Sequence, residues 1–340
     1  MTEQGTPGTP REEVVDLDNP AASAKAPAKV SDMNSATPDL SKKTEGLTTA
    51  ESLLQQIVTT SEDEWIPWEE IGLPSRGVYY GEKLPGGVVK IRAMGIHAEK
   101  ILATQRLASS GQSIDYLFNH CIQLPDGFDQ SELLVGDRVF LLYALRGMTH
   151  GNIYEFVMKC PNCEASSAHK YDLNELAGTT KYPDMSIGLE PFKVELPYTS
   201  ESLKKKVWVK VRFMRGKDLT FMANRVRFNK RAHGANVASG PGRQREIIID
   251  QTVTENLALI VESFGGEGMS GEVKDRIRLK QLVEKLHAKD SSTIRQYLKD
   301  YSPGIDTTIQ LECPDCGNES RTELPITESF FRPTGSRKSE

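Results

Sequence analysis

The sequence predicts an α+β protein: a helical N-terminal region, then a split four-cysteine zinc ribbon of two β-hairpins enclosing an inserted α/β module. Three observations predict it. Two C-P-x-C units, Cys160/Cys163 and Cys313/Cys316, lie far apart in the chain, each between strand-like stretches. Apolar residues recur at helical spacing ahead of the first unit and again ahead of the second. Between the units, residues 192–196 and 207–214 alternate apolar with polar, the period of half-buried strands.

Taken in order, residues 1–50 hold scarcely an aliphatic side chain to bury, and the tail is placed at 1–60. Such a segment cannot offset its ordering entropy, so an acidic, disordered tail is expected there. A short helix at 52–58 is the lesser alternative. Residues 61–150 read as a mainly helical region with an aromatic arm. Trp65, Trp68, Tyr79 and Tyr80 mix with Pro and Gly in an irregular segment held by its rings. Glu69-Glu70 reads as a solvated acidic turn. Val88, Val89 and Ile91 suggest a strand. Ile114, Leu117, Phe118, Cys121 and Ile122 share one helix face. Residues 137–146 form a helix apolar almost all round, with Gly147 as its stop. The first ribbon hairpin is placed at 151–173.

The module at 174–306 begins with a strand hairpin joined through 197–205. Three helical patterns follow: Val253 to Phe264, Leu279 to Leu286, and Ile294 to Tyr301. Asp290 or Ser291 caps the last, and Pro303-Gly304 ends it. Residues 232–242 read as a flexible loop. The second hairpin and a C-terminal anchor occupy 307–333, and 334–340 form a short disordered tail.

Charge and hydropathy narrow the functional classes. Forty-two Lys+Arg against 47 Asp+Glu give a formal charge of -5, which excludes a globally basic nucleic-acid wrapper. The longest apolar run, 139–145, falls far short of the ~20 residues of a membrane span. The opening MTEQGTPGTP has neither a basic nor an apolar secretion region, so reduced thiols are expected.

Reduced thiols favour metal binding over disulfides. Strand, C-x2-C, strand is knuckle geometry. A proline at the second position fixes φ, and the tight turn aims both thiolates at one ion. Two knuckles supply Cys160, Cys163, Cys313 and Cys316, a closed set for one structural zinc per chain with no place left for a reactive water. A redox dithiol would sit at a helix N-terminus, whereas strands follow both units here. His169 is a strand histidine beside a filled ligand set, and Cys121 is a core residue.

Residues 204–231 carry eleven Lys/Arg and one acid, Asp218, interleaved with Trp208, Phe213, Phe221 and Phe228. A nucleic-acid surface would use such residues. A solvated face or an interface for an acidic protein is the simpler reading, because Phe213 lies on the apolar side of its strand. No catalytic motif is present, so no enzymatic activity is expected.

Certain longer runs carry a resemblance. They are GDRVFLLYALRGMTHGNIYEFVMKCPNC, DSSTIRQYLKDYSPGIDTTIQLECPDCG and LPITESFFRP, with LPSRGVYYGEKLPGGVVKIRAM and SSGQSIDYLFNHCIQLPDGFDQSELL upstream. Together they resemble the baseplate hub, or hub-assembly, proteins of T-even-type contractile-tail bacteriophages, over roughly 73–333. The resemblance implies a virion tail component assembled in the host cytoplasm, partnered by other tail and hub proteins, with no membrane. Its docking elements would be the arm at 65–80 and Phe330-Phe331, two adjacent phenylalanines that a partner or a core pocket must cover. The alternatives are an assembly chaperone absent from the mature particle and, less favoured, a zinc-ribbon nucleic-acid binder. The acidic extension and the loop at 232–242 depart from the family pattern.

Overall fold

The computed structural model describes residues 65–104, 112–235, 252–326 and 328–331, together with Glu51, Ser52, Leu54 and Val58. The chain divides into Met1–Val58 and Thr59–Glu340, and every element named below belongs to the second unit. The tails expected at 1–60 and 334–340 fall outside the described residues, except that Glu51, Ser52, Leu54 and Val58 are helical.

A three-stranded antiparallel sheet comes first: β1 (Glu69–Gly72), β2 (Val88–Ile91) and β3 (Ile122–Gln123), in that order. Glu69-Glu70 is therefore strand, not turn. Glu70 lies opposite Lys90, and opposite charges facing across two strands favour the pairing. The connection from β1 to β2 folds onto itself at Gly77 and Gly87. Both have positive φ, +75° and +64°, and a Cβ on Gly77 would stand 2.5 Å from the Gly87 nitrogen. Only glycine meets both demands. The fold buries Tyr79 and Tyr80 and leaves Trp65 and Trp68 exposed, so the aromatic arm is half anchor and half surface.

Helix α1 (Ile96–Ala103) precedes α2 (Ser113–Cys121), which buries Leu117, Phe118 and Cys121 as its periodicity predicts, while Ile122 leaves the helix for β3. Helix α3 (Val135–His150) buries Leu141, Leu142, Tyr143 and Leu145. Its stop is Gly151, at φ +80°, rather than Gly147. Gly147 serves a close approach instead, since a Cβ there would meet the Asn152 side chain at 2.6 Å.

Hairpin β4–β5 (Ile153–Lys159, Ser166–Asp172) follows α3, and hairpin β11–β12 (Thr308–Glu312, Glu319–Glu323) lies near the end of the chain. Between them, β6 (Thr180–Lys181) pairs antiparallel with β10 (Gly304–Ile305), joining the two ends of the intervening segment. A second antiparallel sheet has the order β7-β8-β9, with β7 Phe192–Glu195, β8 Val207–Val211 and β9 Val261–Gly266. Around it lie α4 (Pro197–Leu203), α5 (Gly216–Ala235), α6 (Thr252–Ile260), α7 (Arg276–Glu284) and α8 (Ala288–Tyr301). A short α9 (Glu328–Phe331) comes last.

Several expectations change here. The helical pattern from Val253 breaks after Ile260, and Val261 and Phe264 join β9, where Phe264 pairs with Val209. Their spacing of three is helical and puts them on opposite faces of a strand, so the pairing with β8, not the apolar period, sets the backbone here. The cap of α8 is His287, whose ring nitrogen accepts from the Lys289 N–H. Asp290 instead caps α4 from outside, accepting from the backbone N–H groups of Tyr198 and Thr199 at 2.8 and 3.1 Å. Residues 232–235 continue α5, and 236–242 lie outside the described residues.

One apolar core runs from Leu73 to Phe331. Phe330 and Phe331 belong to it, with the Phe330 ring 5.0 Å from those of both Tyr143 and Tyr154. The chain's own core thus covers the phenylalanine pair expected as a docking element. No helix among the described residues is long and apolar enough to cross a membrane.

Candidate metal centre

Each cysteine pair sits on a knuckle built by the same two hydrogen bonds. In the first, the Cys160 N–H donates to the Ala165 carbonyl at 2.9 Å, and the Glu164 N–H donates to the Cys160 carbonyl at 3.0 Å. In the second, Cys313 N–H donates to Asn318 at 3.0 Å and Gly317 N–H to Cys313 at 2.9 Å. The residue after the second cysteine is left-handed in both: Glu164 at φ +58° and Gly317 at +66°. This backbone repeat turns both sulfurs of a knuckle the same way.

The two knuckles face each other. Cys160 Sγ lies 3.7 Å from Cys316 Sγ, Cys163 Sγ lies 3.7 Å from Cys313 Sγ, and all four sulfurs are within 4.8 Å of one another. A disulfide needs about 2.05 Å, so these are not bonded pairs. A tetrahedron of sulfurs around one ion at about 2.3 Å has edges of roughly 3.8 Å, close to the two 3.7 Å distances between the knuckles. The first cysteine of each pair is buried and the second exposed, so the cluster lies at the surface with its inner half covered.

The two thiols of the first knuckle are shifted in opposite directions. Backbone N–H groups of Cys163 and Asn162 point at Cys160 and draw its thiol down to about 7. The Ala165 N–H favours the Cys163 thiolate too, but hydrogen bonding with the Cys316, Cys160 and Cys313 sulfurs, together with desolvation, outweighs it and pushes that thiol up to about 12. Filling all four positions with sulfur leaves none for water, so the centre suits holding structure rather than catalysis.

Residues singled out beside the cluster have local roles. His169 hydrogen-bonds Ser167 Oγ at 2.7 Å and stacks on Phe156. Cys121 is buried in the core. The Asn162 amide nitrogen, which sequence reasoning passed over, lies 3.7 Å from Cys316 Sγ and reaches from one knuckle to the other.

Five of the eleven cations in the basic stretch at 204–231 are paired among the described residues. Arg212 and Asp218 form a buried double hydrogen bond at 2.7 and 2.8 Å. Arg215 meets Glu190, Lys210 meets Glu272, Lys217 meets Glu132, and Arg225 meets Glu255. Most of these acids come from distant segments, so local composition could not reveal them. Sequence reasoning also missed an apolar groove of about 550 Å³ between β1, α3 and the turn at 173–179, lined by residues from Ile66 to Ile305. Its walls are too far apart in the chain to leave a local signal.

The described residues combine mixed helices, small antiparallel sheets and four clustered sulfurs, and hold no helix long and apolar enough to cross a membrane. The family described as T4 bacteriophage base plate protein matches residues 78–332, and the chain belongs to that family. It is thus a phage base plate protein and part of a larger assembly. Comparison with curated proteins finds no match, and comparison with solved structures finds none either.

Proposed function

We propose that this chain is a structural component of the hub region of the tail baseplate, docking to hub and tail-tube proteins. It carries one structural zinc on Cys160, Cys163, Cys313 and Cys316 and has no enzymatic activity. The observation that carries the zinc is the set of four sulfurs, whose 3.7 Å contacts all run between knuckles. Zinc is preferred because an all-thiolate tetrahedral site suits it and an intracellular assembly pathway supplies it. The architecture is then a split ribbon: one knuckle precedes the segment 174–306 and the other follows it, and the ion links them. Closing that loop costs only a few kcal/mol of chain entropy, against the order of 10 kcal/mol that structural zinc contributes.

Two measurements test this. Elemental analysis of the purified chain should give one zinc per chain, falling to none in Cys160→Ser; a metal-free wild-type protein sinks the zinc. Quantitative mass spectrometry of infectious particles beside tail intermediates should find a fixed small copy number in both. A chain present in intermediates and absent from particles is an assembly chaperone, and the structural-component reading fails.

A further inference from the structure

Strand β1 lies at an edge of its sheet, with β2 on one side only. The hydrogen bond from the Leu73 N–H to the Gly87 carbonyl sets the phase of the ladder. Residues 73, 71 and 69 exchange bonds with 87, 89 and 91, so the N–H and C=O groups of Glu70 and Gly72 point away from β2. Among the described residues, no hydrogen bond or ion pair outside this ladder involves 69–72. An open edge of this kind is a template for another strand.

Against one face of this edge strand lies the groove of about 550 Å³, with Ile71, Phe140, Met148, Leu176 and Ile305 on its walls and Glu69 among its lining residues. Glu69 and Ile71 are two apart in a strand and share the face that lines the groove. The Glu69 carboxylate is exposed and makes no ion pair among the described residues, where it is the one charged group lining the apolar groove. That combination specifies what would fill it.

We infer that this groove receives an extended segment of another protein, added to β1 as a fourth strand. The segment carries Lys or Arg across from Glu69 and a large aliphatic residue two positions along, across from Ile71. Backbone bonds to Glu70 and Gly72 supply affinity, and the two alternate side chains supply selectivity, the division of labour in strand-addition recognition. The inference rests on the assembly role proposed above, since a free-standing protein needs no such partner.

The test uses the full chain and a synthetic peptide in which one lysine and two valines alternate with threonines. Two control peptides replace the lysine by glutamate or carry N-methyl groups on alternate residues. The lysine peptide should slow hydrogen exchange at the Glu70 and Gly72 amides, and each control should bind at least about tenfold more weakly. Glu69→Lys should reverse the ranking of the lysine and glutamate peptides. Gly72→Pro, which removes one outward N–H and leaves the β1–β2 ladder intact, should abolish binding with the melting temperature unchanged. Unslowed exchange, or equal binding of all three peptides, overturns the inference. So does a concentration-dependent dimer that protects the same two amides, which would make the occupant a second copy. Particle composition reads the assembly role separately: a chain found in particles that fails the peptide test loses only the groove.

Discussion

The left-handed residue of each knuckle sets up an asymmetry at the residue scale. Gly317 adopts φ +66° at no steric cost, while Glu164 holds +58° with a Cβ in place. A left-handed non-glycine residue costs roughly 1–2 kcal/mol. Glu164→Gly is therefore expected to leave stability unchanged or raise it by up to about 1 kcal/mol, and Gly317→Ala to lower it by about 1 kcal/mol, both read by denaturant unfolding. Arg212 and Asp218 give the second expectation at this scale. Their side chains are 9% and 5% exposed, and removing one partner of such a pair leaves a buried charge uncompensated. Asp218→Asn should cost about 3–5 kcal/mol. Burial alone would raise the Asp218 carboxyl, but the bonds from Arg212 and the Arg215 N–H outweigh it and hold the group below its ordinary value of 3.8. A depressed folded-state pKa contributes stability that is present above the unfolded value and lost as pH falls through the folded one. Wild-type stability should therefore lose this contribution below about pH 4, and Asp218→Asn should flatten the acid limb of its pH profile.

Elements show most plainly what the sequence could and could not disclose. α3 packs its first turn against the strand that closes the intervening segment: a Cβ on Gly136 would overlap the Pro303 carbonyl oxygen. Since Pro303 and Gly304 are backbone neighbours that cannot swing aside, Gly136→Ala should destabilise the fold by about 3 kcal/mol, measured by thermal melting. Nothing near Gly136 announces this, because the contact joins residues far apart in the chain. Periodicity did disclose α2, α3, α7 and α8, where one apolar face repeats every three or four residues. It also disclosed β7 and β8 through alternation. It failed at Val261, where the pattern continues but the backbone turns to pair with β8, and at Asp290, whose acceptor role lies across the fold at α4. The cysteines were legible because a C-x2-C knuckle is local, four residues whose shape is set by their spacing. Partnerships between distant segments, including Arg215 with Glu190 and the groove beside β1, carry no comparable local signature.

For the molecule as a whole, two independent ties bring the ends of the segment from β6 to β10 together. One is the β6–β10 pairing, Thr180 with Ile305 and Lys181 with Gly304. The other is the four-sulfur cluster on hairpins β4–β5 and β11–β12. The hairpins are only two strands each, and isolated two-stranded hairpins are marginal in water. The sheet β7-β8-β9 owes its burial to its own helices and to the common core. The two regions should therefore respond differently when the proposed zinc is stripped by a chelator. Hydrogen exchange is expected to rise sharply across 153–172 and 308–323, while amides of β7, β8 and β9 stay protected, because opening follows local cooperative units. The melting temperature should fall and recover when zinc is restored, since the binding energy of the ion enters the folding free energy. Exchange rising everywhere at once would mean that β6–β10 cannot hold the segment ends alone and that the ion supports the entire fold. Exchange unchanged at both hairpins would leave the cluster with no metal to lose. The first pattern would also explain why the Phe330-Phe331 pair is buried against Tyr143 and Tyr154, as an anchor that keeps the last hairpin beside α3 whether or not the sulfurs are bridged.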